Sequence, residues 1–282
     1  MYTRLAEYKD VKGKLSLCVL DEINYKEIDT LLTYQKPAKE YKHLKNLYKM
    51  AIKNGNELLS FLEAVYSNDL LIQHMSGEDI HLEGNRLVAN YCSFITMFID
   101  QSKKVLSRTG KDKLSEFEKT CNELYDRENF EYRFFVLLRN YTMHYDFPFS
   151  RYHEDLKGKS LEFEKSRLLN FTKWKHVKKD FEKMDENIDI RPFITPMNYN
   201  LALLLWKIVF LLAEDIAKGH KEAAKFITKY KLSNPGVVKY NNSKELETGN
   251  VVWNPIDFKD LQLAFNDVMD HPGITINSNK TT

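Results

Sequence analysis

Between Phe135 and Phe149 the chain reads FVLLRNYTMHYDFPF. Arg139, Asn140 and His144 fall within six residues of a stretch that is otherwise mostly apolar or aromatic, and Pro148 closes it. Histidine titrates near neutrality, so it can take up and return a proton. Arginine keeps its charge and offers a planar fork of donors that fits phosphate oxygens. An asparagine amide can orient a phosphate, a ribose hydroxyl or the imidazole itself. Together these are the groups that metal-free RNA cleavage requires. A base activates the ribose 2′-hydroxyl, a cation stabilises charge developing on phosphorus, and an acid protonates the leaving oxygen. One histidine supplies one acid/base group, so a two-fold dimer would bring the second.

The element that must position them is a helix of about residues 128–146, stopped before Pro148 because proline disfavours helix in the residue ahead of it. At about 100° per residue, Phe134, Leu138, Tyr141 and Tyr145 fall on one core-facing side. Asn140 and His144, four apart, stack on the opposite side, and Arg139 shares that half with Val136 and Met143. A cation, an amide and an imidazole among Val and Met point to a half-buried surface in a cleft or subunit contact. The plainer alternative is that Arg139 and His144 only complement the carbonyl end of the helix.

The surrounding pattern is helical. From Pro37, Tyr41, Leu44, Leu47, Tyr48 and Ala51 recur at helical steps; Leu58, Leu59, Leu62 and Val65 continue past Gly55, where a bend is expected. SGEDIHLEGN, 76–85, reads as a turn-rich break. A long helix then runs through RLVANYCSFITMFIDQSKKVLSR to Gly110, and another covers 112–126. Residues 1–36 have room for a strand or two, and KGKSLEFEKSRLLNF for a short one. TKWKHVKKDFEKM reads as a helix and IDIRPFITP as an extended connector. An apolar helix follows over 198–218 with a continuation to Lys229, and the tail from Ser233 reads as hairpin or irregular.

The totals agree with a folded, mainly α protein. Only 10 Gly and 7 Pro favour long helices with few tight turns. With 43% hydrophobic and 29% charged residues the composition is globular rather than disordered. A net charge of +2 excludes an overall basic nucleic-acid coat, so an anion site must come from local clustering. Cys18, Cys92 and Cys121 read as free thiols in a reducing compartment rather than disulfides or a zinc site. The first residues lack the apolar core of a signal peptide, and the run from Leu201 meets Lys207 and Glu214 too soon to span a bilayer. A cytoplasmic protein with no membrane partner is expected.

Three further features bear on chemistry. The basic segment 157–183 centres on Lys173, Trp174 and Lys175. The lysines suit an RNA backbone and the indole a base, or the segment is a solvated amphipathic helix with Trp174 inward. Asn90, four residues on from Arg86, suits a buttress for the motif or a hydrogen bond within the core. His74 and His81, near Glu78, Asp79 and Glu83, lack tight metal-ligand spacing. No P-loop, dinucleotide or nucleophile-elbow motif occurs, and no cofactor or metal is expected.

LLRNYTMHY resembles the signature of the HEPN superfamily, an Arg, often followed by a polar residue, then a His four to six residues on. Arg139, Asn140 and His144 match it with four residues between Arg and His, late in an apolar helix, with a long helix upstream and another downstream. The resemblance covers roughly residues 80–220. It implies a HEPN-like antiparallel helical bundle at 80–230; outside it the sequence pattern itself predicts an N-terminal helical extension at 1–79 and a small irregular or β appendage at 231–282. The resemblance further implies a metal-independent endoribonuclease active at a dimer interface, in phage defence or a toxin-type system, with Arg139 and His144 in the active site. Asn140 joins them as the third catalytic candidate, and from the residues themselves Asn90, Tyr145, Lys173, Trp174 and Lys175 are candidates to support the motif or touch RNA. Some such proteins are inactive modules that bind a nucleotide or a regulatory protein, and that alternative stays open.

Overall fold

The computed structural model describes residues 2–12, 14–20, 25–126, 129–155, 158–231, 235–256 and 258–275. Strands β1 (Tyr2–Val11) and β2 (Lys14–Val19) are followed by helices α1 (Tyr25–Ser67), α2 (Leu70–Gln73), α3 (Gly77–Thr109), α4 (Lys111–Asp126) and α5 (Phe130–His144). Then come β3 (Arg151–Asp155), β4 (Gly158–Glu164), the short helices α6 (Lys165–Leu169) and α7 (Val177–Phe181), and β5 (Asn187–Ile188). Helix α8 (Arg191–Tyr230) leads to β6 (Pro235–Tyr240), α9 (Ser243–Glu247), β7 (Val252–Pro255) and α10 (Phe258–Met269). The protein is mainly helical, with two small antiparallel sheets in the orders β2-β1-β6-β7 and β3-β4-β5. No helix among the described residues is long and apolar enough to cross a membrane.

The chain divides into two compact units, residues 1–43 with 209–282, and residues 44–208. This partition differs from the expected pieces 1–79, 80–230 and 231–282, because both boundaries fall inside long helices rather than at the turn signals.

In the unit 44–208, α3 packs on both α4 and α5. Its buried stripe includes Ile80, Val88, Tyr91, Cys92, Ile95, Phe98 and Leu106, a helical period that drives the apolar face into the core. The segment 76–85 is not a break. Ser76 caps α3 by accepting the Asp79 amide at 3.1 Å, and Glu78 and Asp79 suit the positive end of the helix.

Gly55 does not interrupt α1, which is helical through it. A Cβ there would lie 2.7 Å from the Tyr91 ring and 2.8 Å from Asn198 Oδ1. That oxygen accepts the Tyr91 hydroxyl at 2.7 Å, so glycine is required by close approach. Gly55→Ala gains up to about 1 kcal/mol of helix propensity but overpacks a buried ring, which costs about 1–3 kcal/mol. A net loss of stability is expected in urea unfolding; a gain would show that Tyr91 can yield.

Other boundaries differ from the sequence reading. Helix α1 begins at Tyr25, twelve residues before Pro37, and continues through that proline. The connector IDIRPFITP is extended only at its start and helical from Arg191. Asp189 accepts the Arg191 amide at 3.0 Å, and Pro192 presets the first turn. TKWKHVKKDFEKM is helical only over Val177–Phe181, since Lys175 has φ of 51°, a left-handed conformation that no helix continues through.

In the unit formed by 1–43 and 209–282, the tail does not form an isolated hairpin. Strand β6 pairs with β1, Tyr2 opposite Tyr240 and Ala6 opposite Gly236, as well as with β7. Helix α10 was not anticipated; its Leu261, Ala264 and Val268 are buried, and Asp267 accepts the Tyr41 hydroxyl at 2.7 Å.

Candidate active site

Helix α5 is anchored by a broad aromatic face. Tyr132, Phe134, Phe135, Leu137, Leu138 and Tyr141 are all buried. The Phe135 ring meets Tyr91 of α3 edge-on at 5.0 Å, and Phe134 packs against Phe181 at 5.9 Å. Such pairs contribute about 0.5–1.5 kcal/mol each beyond area burial, so the rotation of α5 is strongly determined.

The opposite side carries the motif. Arg139, Asn140 and Val136 are half-buried, while Met143 and His144 are exposed. Asn140 Oδ1 lies 3.4 Å from Arg139 Nη1, so the amide can accept from the guanidinium. His144 stands on the last helical turn, one turn beyond Asn140 on the same side. Tyr145 leaves the core face it was expected to join, with 51% of its surface exposed. The helix stops at His144, so the next residue loses the helical register; its ring rests against Tyr141 and Phe171 at 5.2 and 5.5 Å. Phe147, which the sequence did not single out, is exposed nearby in sequence.

The chain after α5 is pinned by a residue that sequence reasoning missed. Asn85 of α3 is buried, donates from Nδ2 to the Phe149 carbonyl at 3.0 Å, and accepts the Phe149 amide on Oδ1 at 3.0 Å. The signal available was an amide inside the apolar stripe that includes Val88 and Cys92. Asn90 is half-buried and makes no side-chain hydrogen bond among the described residues. Asn85→Ala leaves both Phe149 backbone groups without their partner, a loss of about 2–4 kcal/mol. Thermal unfolding should report it, and an unchanged midpoint would show that another group takes Asn85's place. On the other side, Arg167 pairs with Asp146 at 2.8 Å.

Trp174 cannot stack on a base. It is 1% exposed, donates its indole N–H to the Leu168 carbonyl at 2.6 Å, and packs among Tyr141, Phe171 and Phe181. Its flanking Lys173 and Lys175 are exposed. Burial pushes the Tyr141 hydroxyl up to about 12, with Asp146 adding to it, so at neutral pH it is a neutral phenol. Burial likewise raises the Cys92 and Cys121 thiols, which makes them poor nucleophiles.

Surface cavities of about 710, 590 and 290 Å³ are lined by other residues, the largest by Tyr48, Lys53, Asn56 and the Glu83–Arg86 pair among others. Arg139, Asn140 and His144 line none of these three cavities. Among the described residues no three His, Cys, Asp or Glu side chains gather as a metal site. Compared with known protein families, with curated proteins and with solved structures, the chain matches none.

Proposed function

We propose that the chain is a metal-independent endoribonuclease of the HEPN type, acting in the cytoplasm as a homodimer in phage defence or a toxin-type system. The observation that carries the reading is the orientation of α5. Its aromatic face is locked into the core, while Arg139, Asn140 and His144 are left accessible on the other side, at the C-terminal end that Asn85 secures nearby. In this reading Arg139 stabilises the charge on phosphorus, His144 transfers the proton, and Asn140 orients the guanidinium. The packing of α3 with α4 and α5 suits a HEPN-like bundle. Exposed Met143, Tyr145 and Phe147 give the motif an apolar rim that suits a second copy, which would bring the second histidine.

The test is cleavage of a mixed-sequence RNA in EDTA by wild type, Arg139→Ala and His144→Ala, each first shown to be folded. Cutting by wild type with loss in both variants supports the proposal; equal cutting by all three, or none, ends it. The absence of the motif from these three cavities, with His144 exposed, favours a second reading, a catalytically inactive HEPN-like module that binds a nucleotide or a regulatory protein. That module would bind without cutting.

A further inference from the structure

The largest of the three cavities, about 710 Å³, is a groove between α1 and α3. The two helices pass each other antiparallel: Tyr48 meets Phe98 at 5.9 Å, Gly55 faces the Tyr91 ring, and Glu57 lies near enough to Arg86 to stabilise its charge. The volume falls within the range of about 300–1,000 Å³ usual for small-molecule sites. Ile52, Phe61 and Leu87 give the wall its apolar part. Its charges do not cancel. Arg86 holds both carboxylate oxygens of Glu83, at 2.7 Å from Nε and 2.5 Å from Nη2. Lys53 lies 3.8 Å from Glu57. Lys49 is left over, exposed and with no ion pair among the described residues. It stands one turn before Lys53, a spacing at which like charges repel, so an anion set between the two ammoniums relieves that repulsion.

A second polar group of the wall is oriented by a buried relay. Burial keeps the Tyr91 phenol protonated, and it donates to Asn198 Oδ1 at 2.7 Å. That contact decides which way the Asn198 amide faces, and its Nδ2 donates to Asn56 Oδ1 at 3.1 Å. With its oxygen committed there, Asn56 keeps two N–H donors on Nδ2, and among the described residues that nitrogen has no partner. Asn56 lines the groove. It follows Lys49 by seven residues, about 10 Å along α1, with Ile52 between them. In a row the groove therefore offers a cation, an apolar surface and a fixed donor. We propose that it binds a small aromatic anion with a hydrogen-bond acceptor at its far end. The charge sits between Lys49 and Lys53, the ring over Ile52, and the acceptor on Asn56 Nδ2. A nucleoside monophosphate and an acylated aromatic acid share this chemistry. Arg139 and His144 do not line the groove, and the site does not require the ribonuclease reading.

The test is isothermal titration of the full chain with adenosine 5′-monophosphate and with 4-acetamidobenzoate, which separates the two sources. Adenosine, which lacks the anion, and inorganic phosphate, which lacks the ring, are the controls. At least one of the two anions should bind about tenfold or more tightly than either control, the size of one charge-assisted contact. Asn56→Asp keeps the oxygen that accepts from Asn198 and replaces the donor with a negative charge. Lys49→Gln removes the surplus cation. Each variant should lose about tenfold or more of the wild-type affinity with its unfolding midpoint unchanged. Lys104→Gln, an exposed lysine of α3 outside the groove, should lose nothing. Failure of both anions to exceed the controls overturns the proposal, as does binding that either groove variant leaves intact. No arm contains RNA, so failure here leaves the ribonuclease reading untouched.

Discussion

Trp174→Ala should cost about 4–6 kcal/mol, enough to consume much of the stability of an ordinary domain. Emptying a fully buried indole site costs about 3–5 kcal/mol through lost transfer energy and the cavity left behind. The hydrogen bond from the indole to the Leu168 carbonyl, 2.6 Å long, is also lost; that carbonyl keeps the Phe171 amide at 3.0 Å, so the loss adds about 1 kcal/mol. The gap would open directly against Tyr141, Phe171 and Phe181, so the face that fixes α5 would loosen with it. Urea unfolding followed by far-ultraviolet circular dichroism measures the loss. Trp174→Phe keeps a ring in place and should cost only about 1–3 kcal/mol, from the missing hydrogen bond and the smaller volume. A loss under about 2 kcal/mol for the alanine variant would contradict the burial.

His144→Ala should lower RNA cleavage by about 10²–10⁴-fold, the usual size of a general acid–base contribution. Arg139→Ala should lose about 10²–10³-fold, as when one preorganised donor to a developing oxyanion is removed. His144 is exposed on the last turn of α5, so its removal should leave the unfolding midpoint within a degree or two. Single-turnover rates with saturating RNA separate the two roles from binding. A drop confined to KM would make the motif a binding surface. If the double variant loses no more than the worse single one, the two act as a unit.

The legibility of these features follows how local their causes are. Helix α5 could be read from the spacing of Phe134, Leu138 and Tyr141 and from Pro148, all of which act within a few turns. The split between its buried side and the Arg139–His144 side followed from the same period. The fate of Tyr145 did not, because the wheel assumes helix past the residue where the chain leaves it. Trp174 was ambiguous for a different reason. An indole between two lysines fits a surface equally well, and only the positive φ of Lys175 and the distant Tyr141 decide for the interior. Asn85 was missed because its partner Phe149 lies 64 residues away, in the connection after α5. The contact between the Tyr8 and Trp253 rings, 4.8 Å apart, was invisible for the same reason, since they meet only through a register no local pattern specifies. A strand or two within residues 1–36 was expected; the pairing of β1 with β6 was not.

The pairing of β1 with β6 also sets an order of events during synthesis. Tyr2 leaves the ribosome first among the described residues, yet its partner Tyr240 emerges only after the whole of α8 has been made. Contacts so distant in sequence close slowly and carry a large loop entropy. Helices α3, α4 and α5, by contrast, follow one another directly and are complete by residue 144. At a translation rate of 5–20 residues per second, roughly 5–20 s pass between the appearance of His144 and that of Tyr240. During that interval the nascent chain already holds the whole Arg139–His144 helix, while β1 has only β2 beside it and an open edge where β6 will dock.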